Sequence, residues 1–295
     1  MNLPFFSIII PTYARPDKLS NCLAALSKLN YPSDKFEVII VDDGSPMSLE
    51  EVIAPWQSQL TLILLKQKNQ GPSVARNLGS NHAQGEFLAF TDDDCAPDVN
   101  WLQTLAEEFV KNPDCFIGGR TVNGLPDNLF STTSQLLVDY LYGYYNSEET
   151  KTRQTSFFTS NNFAVSREIF QSLEGFSEKF PLAAAEDREL CDRALQLGYK
   201  MIYVPEALVY HYHYLTLSKF CRQHFNYGRG AIHFNQARAK RDLGKIKPES
   251  SPFYINLLLY PFRRGFSFKA PVMSGLLVLT QIVHSVGCFW ERRKI

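Results

Sequence analysis

The feature that most constrains this chain is a repeated order of elements in its first 120 residues, where a short apolar run is followed by a helical pattern. These runs contain too few polar residues to leave one side of a strand in water. Strands of this kind, each followed by a helix, form a mainly parallel sheet that helices cover on both faces. The sequence therefore predicts an α/β fold with a Rossmann-like sheet, whose first strands are Phe6–Ile10, Phe36–Val41, Leu60–Leu65 and Glu86–Thr91.

Beyond residue 120 the pattern is less regular. The segment 121–156 is rich in Tyr, Ser, Thr and Asn, which predicts a long loop or a region of short helices. Regular structure is expected again in four later segments, which are Phe157–Val165, Glu186–Leu197, Lys200–Val204 leading to Ala207–Tyr214, and Leu217 to about Lys240.

The charges of the chain argue against nucleic acid as a partner. Lys and Arg together number 30, as do Asp and Glu, so the formal net charge is zero. A protein that binds nucleic acid through its overall field is strongly basic. The chain also has no Gly-x-Gly-x-x-Gly after the first strand and no P-loop lysine motif, which argues against a nicotinamide dehydrogenase and a P-loop ATPase.

Polar residues follow three of the predicted strands at the points where those strands end. They are Pro11-Thr12-Tyr13, Asp42-Asp43 and Asp92-Asp93-Asp94. Because the carboxyl ends of parallel strands meet at one edge of a sheet, we expect these residues to converge there. Crowded carboxylates repel each other, and a bound Mg²⁺ or Mn²⁺, which oxygen ligands favour, relieves that repulsion. A simple turn is the alternative interpretation of Asp42-Asp43, because Asp-Gly-Ser is common turn chemistry.

Five motifs, in order along the chain, resemble those of glycosyltransferase family 2. They are Ser7-Ile-Ile-Ile-Pro-Thr-Tyr, Val41-Asp-Asp-Gly-Ser, Gly71-Pro-Ser-Val-Ala-Arg-Asn, Phe90-Thr-Asp-Asp-Asp and Glu186-Asp-Arg-Glu-Leu. The match covers about Phe6–Arg120, and the last motif extends it to about Tyr214. The resemblance implies the GT-A fold and the transfer of a sugar, with inversion, from a nucleoside-diphosphate sugar to an acceptor hydroxyl.

The resemblance also implies roles on the donor side. Tyr13 is implied to stack on a uracil or thymine-like ring, which favours a UDP- or dTDP-type donor, and Asp43 to accept from the base edge. Asp92 is implied to lie near the ribose, and Asp94 to bind a metal that bridges the diphosphate. The residues implied to bind the nucleotide sugar are Pro11, Thr12, Tyr13, Asp43, Arg76, Asp92 and Asp93. For Arg76 the alternative is an arginine on the surface of a helix.

On the acceptor side, the resemblance implies that Asp187 takes the proton of the acceptor hydroxyl as a general base. It also implies that Glu186, Gly119 and Asn161 lie near the acceptor. Two acids at a helix N-terminus equally favour the helix macrodipole, which is the alternative for Glu186 and Asp187. Turn chemistry is the alternative for Gly119 and Asn161.

Two histidines extend the predicted metal site. His211 and His213 lie two residues apart, so on a strand they share one face. In related families a histidine from about this position binds the metal, and we choose His211 for that role. A structural histidine is the alternative. The predicted cofactor is Mg²⁺ or Mn²⁺, bound by Asp94 and His211.

We divide the chain into a nucleotide-sugar-binding half over 1–120, an acceptor-binding and catalytic half of the same domain over 121–214, and a helical C-terminal region over 215–295. The apolar segment 271–290 lies between basic clusters, which predicts peripheral contact with a membrane interface. A helix packed on the domain and a helix that spans the bilayer are the alternatives. We expect a cytoplasmic protein at the inner face of the cell membrane, with a glycan or lipid-linked acceptor.

Three arginines of the C-terminal region are candidates for contact with the phosphates of a lipid-linked acceptor. They are Arg222, Arg229 and Arg238, and a solvated basic face is the alternative. Two rival functions also stay open. A nucleotidyltransferase shares the sheet and the metal carboxylates but carries a Gly-rich basic loop after the first strand, which Pro11–Lys18 is not. A non-catalytic protein that binds nucleotide sugars has no need of both Asp94 and Asp187.

Overall fold

One mixed sheet of eight strands organises the described part of the chain. A computed structural model describes residues 3–146, 157–180, 184–244, 246, 248–266 and 268–295. The strands are β1 (Phe6–Thr12), β2 (Phe36–Asp42), β3 (Leu62–Lys66), β4 (Phe87–Phe90), β5 (Cys95–Pro97), β6 (Cys115–Asn123), β7 (Phe163–Ser166) and β8 (Lys200–His211). The helices are α1 (Pro16–Leu26), α2 (Glu50–Ile53), α3 (Pro72–His82), α4 (Trp101–Lys111), α5 (Leu129–Tyr145), α6 (Arg167–Ser172), α7 (Glu186–Gln196), α8 (Leu217–Lys240), α9 (Ser251–Arg263) and α10 (Ala270–Arg292).

The strand order across the sheet is β3-β2-β1-β4-β7-β6-β8-β5. β1 pairs in parallel with β2 and β4, β2 pairs in parallel with β3, and β6 pairs in parallel with β8. Only β7 and β5 run against their described neighbours. The mainly parallel sheet is therefore confirmed, and the carboxyl ends of β1, β2 and β4 meet at one edge.

Helices cover both faces of this sheet, as predicted. Ile8 and Ile10 belong to a core on one face that also contains buried residues of α1 and α4, such as Leu23 and Leu105. The intervening Ile9 belongs to a second core with residues of α3 and α7. Successive side chains of a strand point to opposite faces. A continuous apolar strand is therefore what two covered faces require.

The prediction of a long loop or a region of short helices over 121–156 is wrong for the described part of that segment, which contains one helix of 17 residues. β6 continues into it, and α5 occupies Leu129–Tyr145, while residues 147–156 lie outside the described residues. The side chain of Asn128 caps α5 by accepting a hydrogen bond from the backbone N–H of Ser131 at 2.8 Å. Thr133 donates its hydroxyl to the carbonyl four residues earlier at 2.8 Å. Such bonds satisfy hydroxyl groups inside a helix, so a composition typical of loops forms one.

The strands at the far side of the sheet also differ from the predictions. β5 was not predicted, because its three residues are too few to show a period. The stretches Lys200–Val204 and Ala207–Tyr214 form one strand, β8, which ends at His211 and is irregular opposite Gly119 and Arg120. Only the end of the predicted Phe157–Val165 segment is strand. The division at residue 120 falls inside β6, which contributes to both halves of one sheet.

Buried ion pairs join α7 to α8. Asp192 accepts hydrogen bonds from Arg238 and from Arg241, the latter at 2.6 Å. Glu189 accepts from Arg241 and, at 2.9 Å, from Arg193. The interpretation of Arg238 as part of a solvated basic face, or as a phosphate ligand, is therefore wrong, because its side chain is buried and its charge is already matched by Asp192.

Glycines bring α10 into close contact with α8. A Cβ atom at Gly228 would lie 2.0 Å from the carbonyl oxygen of His284, and one at Gly287 would lie 2.1 Å from the carbonyl oxygen of Phe225. Beside this crossing, Glu291 accepts hydrogen bonds from Arg229 at 2.5 Å and pairs with His233 at 2.9 Å. Arg229 is thus an internal ion-pair partner of α10.

The opposite side of α10 is apolar and exposed. Ile282 is 56% exposed and Val286 52% exposed, and Phe268, in the turn before α10, is 99% exposed. Within the described ranges, α10 is the one helix that is long and apolar enough to cross a membrane by length and composition, and most of it is not buried in the protein. The helix is therefore packed on one side and unpartnered on the other.

The crossing of α8 and α10 yields a stability prediction. Gly228→Ala places a methyl group where a backbone oxygen lies, so the helices must separate, which costs about 1–3 kcal/mol of unfolding free energy. Gly275→Ala is the matched control, because a Cβ atom there meets no atom within 4 Å. It should stabilise the helix by up to about 1 kcal/mol. Urea denaturation of both variants measures the difference, and equal stabilities would contradict the close crossing.

Candidate active site

A cavity of about 1360 Å³ lies at the carboxyl edge of the sheet. The end of β1 contributes Thr12 and Tyr13, the end of β2 contributes Asp43, and the residues after β4 contribute Asp92–Asp94. The start of α7 supplies Glu186 and Asp187 to the same cavity. The structure thus brings together the predicted donor-side carboxylates and the predicted catalytic pair, although 94 positions separate Asp93 from Asp187 in the chain.

Asp93 is buried and held by two neighbours. It accepts a hydrogen bond from the Thr12 hydroxyl at 2.8 Å and another from Arg15 at 3.1 Å. Burial raises the pKa of Asp93 to about 6, and the nearby charge of Arg15 limits that rise. The carboxylate therefore fixes the end of β1 against the end of β4 and shapes the floor of the cavity.

Asp94 has the most cationic surroundings of the three acids. It accepts from the Lys18 ammonium at 2.8 Å, and its other oxygen lies 3.2 Å from Nε2 of His211. Burial opposes the charge of Asp94, but His211 and Lys18 outweigh burial and hold the pKa of that carboxyl well below its usual range. Asp94 is therefore ionised at any physiological pH, as a metal ligand must be.

Asp94 and His211 have suitable atoms for a divalent metal. Ligand atoms of Asp94, Cys95 and His211 lie within 4.8 Å of one another. Burial, followed by the charges of nearby acids, raises the pKa of the Cys95 thiol well above its usual range. Thiolate suits soft metals, whereas the carboxylate of Asp94 suits Mg²⁺ and Mn²⁺, so Asp94 and His211 are the candidate ligands. His213 lies next to His211, with 5.2 Å between ring centres, and does not belong to this group.

The Asp42-Asp43 pair serves two different purposes. Asp42 accepts from the backbone N–H of Ser45 at 2.8 Å and closes a turn in which Gly44 has a φ of +85°. Asp43 lines the cavity and accepts from the backbone N–H groups of Gln70 and Gly71 at 2.8 and 2.9 Å. The turn interpretation therefore applies to Asp42, while Asp43 positions the loop that leads into α3.

Arg76 links the two groups of acids. Its guanidinium donates to Asp92 at 2.7 Å and to Glu186 at 3.5 Å. The side chain is 4% exposed, so the interpretation of Arg76 as a surface arginine is wrong. The guanidinium lines the cavity between the carboxylates, where a nucleotide could reach it. Its contact with the nucleotide stays a prediction.

Glu186 and Asp187 begin α7 directly after Ala185, whose φ of +72° is in the left-handed region that residues with a side chain rarely adopt. Asp187 accepts from the backbone N–H groups of Ser160 at 3.3 Å and Arg188 at 2.7 Å. Burial, and then the charge of Asp187, raise the pKa of Glu186 to about 7. Burial also raises the pKa of Asp187. Raised carboxyl pKa values in a cleft are typical of general bases.

Of the predicted acceptor-side residues, Asn161 lines the cavity and Gly119 does not. The Asn161 side chain accepts from the hydroxyl groups of Thr121 and Thr159 at 3.3 and 2.8 Å. A Cβ atom at Gly119 would lie 2.1 Å from the carbonyl oxygen of Ala207, so this glycine permits the close pairing of β6 and β8. Gly119 therefore has a packing role, and its predicted place near the acceptor stays a prediction.

Two cationic residues near Asp94 were not predicted. Arg15 and Lys18 lie at the start of α1, and both reach the aspartates that follow β4. Their position directly after β1, at the edge where the aspartates converge, was the available signal. The acids of the site therefore have their own counter-charges within the fold.

The family model of glycosyl transferase family 2 matches residues 7–174, which is more than half of the chain. The chain belongs to glycosyltransferase family 2. This family membership makes the protein a glycosyltransferase and argues against the nucleotidyltransferase alternative.

Relatives of the family 2 chain include the glycosyltransferase AglE of Haloferax volcanii, which is 26% identical over 232 residues, 78% of this chain and 74% of AglE. The chain spans only 24% to 34% of the length of several larger synthases that it also matches.

Two solved structures resemble the fold closely. One is the mannosyltransferase PcManGT of Pyrobaculum calidifontis in complex with GDP-Man and Mn²⁺, with a TM-score of 0.66, 18% identity and coverage of 99% of this chain and 88% of that one. Another is residues 1–349 of TarS of S. aureus in complex with UDP, with a TM-score of 0.56, 20% identity and coverage of 99% and 92%. These similarities show the GT-A fold.

Proposed function

We propose that this glycosyltransferase transfers a sugar from a nucleoside-diphosphate sugar to an acceptor hydroxyl with inversion, and that Asp187 is the general base. The observation that carries the proposal is the shared cavity, in which Arg76 joins the donor-side Asp92 to the catalytic pair through Glu186. A non-catalytic nucleotide-sugar-binding protein does not need a raised carboxyl pKa beside that cavity. UDP release from a panel of nucleotide sugars, with and without EDTA, tests the function directly.

The donor is proposed to bind at the ends of β1 and β2. Tyr13 is 49% exposed at the cavity and can stack on a base, while Thr12 and Asp43 offer polar groups beside it. PcManGT and TarS were solved with GDP-Man and UDP, which supports a nucleotide sugar as the donor of this relative. We favour a UDP- or dTDP-type donor, because the resemblance to the family implies that Tyr13 stacks on a uracil or thymine-like ring.

Asp94 and His211 are proposed to hold Mg²⁺ or Mn²⁺. When bound, the cation neutralises the charge that develops on the departing diphosphate. Arg15 lines the cavity on the same side and contributes positive charge there, while Lys18 pairs with Asp94 behind it. The Arg15 guanidinium is already oriented, so it can stabilise the diphosphate with little reorganisation.

The reaction also requires a proton acceptor beside the hydroxyl group of the acceptor. As the acceptor oxygen forms its bond to the anomeric carbon, its proton passes to Asp187. The bond from the anomeric carbon to the diphosphate oxygen breaks, and its electron pair leaves with the nucleoside diphosphate. The Ser160 and Arg188 N–H groups orient Asp187, while Arg76 offsets part of the negative charge of Glu186.

The C-terminal helices are proposed to rest on an anionic membrane surface. Exposed apolar residues of α9 and α10 lie beside the basic residues Arg263, Arg264, Arg292 and Arg293. An apolar face with a basic border is typical of helices that bind at the membrane interface. The proposed location is therefore the cytoplasmic side of the cell membrane.

The metal proposal predicts the behaviour of Asp94→Asn. Without the anionic oxygen the cation binds weakly, so transfer should be abolished, and UDP affinity in Mn²⁺ should fall to the value measured in EDTA. Asp92→Asn should have a milder effect, because Asp92 pairs with Arg76. Calorimetry of UDP binding in Mn²⁺ and in EDTA measures both variants. An equal loss of affinity in the two buffers would contradict the role of Asp94 as a metal ligand.

The base proposal predicts that Asp187→Asn lowers kcat by about a hundredfold or more while donor affinity changes little. Glu186→Gln should be milder, and Glu107→Gln, exposed on α4, is the control. A base acts only when deprotonated, so wild-type kcat should fall as the pH drops through the raised pKa values of the pair. Near wild-type kcat for Asp187→Asn would transfer the role to Glu186.

The membrane proposal predicts that full-length protein floats with vesicles containing anionic lipid and not with neutral vesicles. The double variant Ile282→Glu/Val286→Glu places charges on the exposed stripe and should bind at least about tenfold more weakly. Val110→Glu is the matched control, because Val110 is 57% exposed on α4, away from that stripe. Binding that the double variant leaves unchanged would contradict the proposal, as would wild-type protein that ignores anionic vesicles.

A further inference from the structure

The cavity extends well beyond the donor side. From Asp187 it continues between α5, α8, α9 and α10, where Leu141, Phe253 and Ser285 are among the lining residues. Its volume of about 1360 Å³ exceeds the usual range of a small-molecule site, which is about 300–1000 Å³. The inner part of the cavity, between these helices, therefore has room for a second ligand next to the nucleotide sugar.

Arg188 projects a cation into this inner part. Its guanidinium lies 5.2, 5.5 and 5.7 Å from the ring centres of Phe234, Phe157 and Tyr145. Among the described residues no side chain or carbonyl accepts a hydrogen bond from the guanidinium, and its Nε is buried without a partner. Aromatic rings stabilise a cation but leave its N–H groups unused. By contrast, Arg238 and Arg241 on the neighbouring helix are matched by acids.

Two further polar atoms of the inner cavity are buried without a described partner. They are Oε1 of Gln223 and Nε2 of His224, both on α8. Burial lowers the pKa of His224 to about 4, so its ring is neutral at pH 7 and can donate an N–H. Buried polar groups in native proteins nearly always have hydrogen-bond partners, so these atoms are available to a polar ligand in the cavity.

The charge of the inner cavity favours an anionic ligand. Arg188, Arg222 and Arg292 line it. The acid on that wall, Glu249, already accepts from the hydroxyl groups of Tyr144 and Tyr145 at 2.9 Å each. Glu186 and Asp187 lie at the donor end, where Arg76 faces them. A group with one or two negative charges is therefore matched by arginines that have no described carboxylate partner.

Apolar side chains continue from this cationic group toward the surface. Leu137, Val138 and Phe289 line the cavity. The cavity-lining residues of α10, such as Gln281 and Ser285, lie next to the exposed apolar stripe of Ile282 and Val286, since each residue turns the helix by about 100°. A ligand with an anionic head and a long apolar chain can therefore place its head at Arg188 and extend its chain to the membrane-facing side.

We propose that the inner cavity binds the phosphate or diphosphate of a lipid-linked acceptor, with Arg188 as the main contact of that anion. The proposal rests on the proposed function, because the same acceptor presents its sugar hydroxyl to Asp187. Consecutive helical residues point about 100° apart, so Asp187 and Arg188 face different parts of one ligand. Arg188 thus selects acceptors whose sugar is joined to lipid through phosphate.

The test measures binding of farnesyl diphosphate, farnesol and inorganic diphosphate to the full-length protein in EDTA, where metal-dependent binding at Asp94 does not contribute. Farnesyl diphosphate should bind at least about tenfold more tightly than either of the others. Arg188→Gln should weaken its binding by about tenfold to a hundredfold, the value of a hydrogen bond to a charged group. Arg188→Lys should retain part of the affinity, and Lys111→Gln, which removes an exposed charge on α4, should retain all of it.

UDP binding in Mn²⁺, measured on the same preparations, separates this proposal from the donor proposal. If Arg188→Gln keeps the UDP affinity of the wild type, the variant is folded, and its weaker binding of farnesyl diphosphate concerns the acceptor site. If farnesol binds as tightly as farnesyl diphosphate, the proposed anion site is wrong. It is also wrong if Arg188→Gln binds farnesyl diphosphate as tightly as the wild type does. If inorganic diphosphate binds equally well, the ligand is a free anion and the lipid assignment is wrong. If the wild type itself does not bind UDP in Mn²⁺, the donor proposal is contradicted instead.

Discussion

The arrangement of the site depends on the repulsion between buried carboxylates. The parallel sheet brings Asp92, Asp93 and Asp94 to one edge, and α7 adds Glu186 and Asp187 a short distance away. Each buried acid must be protonated or matched by a positive group, because an isolated charge is costly away from water. The fold uses both means, since cations match Asp92 and Asp94 while burial and mutual repulsion raise the pKa of Glu186.

Arg76 is the residue through which the two groups of acids affect each other. It is buried and contacts Asp92 and Glu186 at once, so its position depends on both sides of the cavity. A change in the charge near Asp92 alters how much of the guanidinium charge is available to Glu186. Asp92 and Glu186 are thereby electrostatically coupled through one side chain, in a medium where charges are screened less than in water.

The sequence predicted what depends on local pattern. The strands from β1 to β4 and the polar residues after them follow from apolar runs that end in Thr12, Asp43 and Asp92, and sheet topology alone makes those ends converge. The helix α5 was not predicted because its Ser, Thr and Asn content is typical of loops, and β5 because it is too short to show a period. The role of Lys18 depends on Asp94, which lies 76 positions away in the chain. Likewise, the motif that contains Gly119 does not show the close approach of the Ala207 carbonyl oxygen.

The ion pairs between α7 and α8 have a mechanical consequence. Asp192 and Glu189 tie α7, the helix that carries Asp187, to Arg238 of α8 and to Arg241 directly after it, and the glycine crossing at Gly228 ties α8 to α10. Asp187, the proposed base, and the exposed apolar stripe are therefore joined through packed helices. On the membrane proposal, a surface that holds α10 would fix the height of Asp187 above it, whereas a flexible tether would let that height vary with the square root of its length.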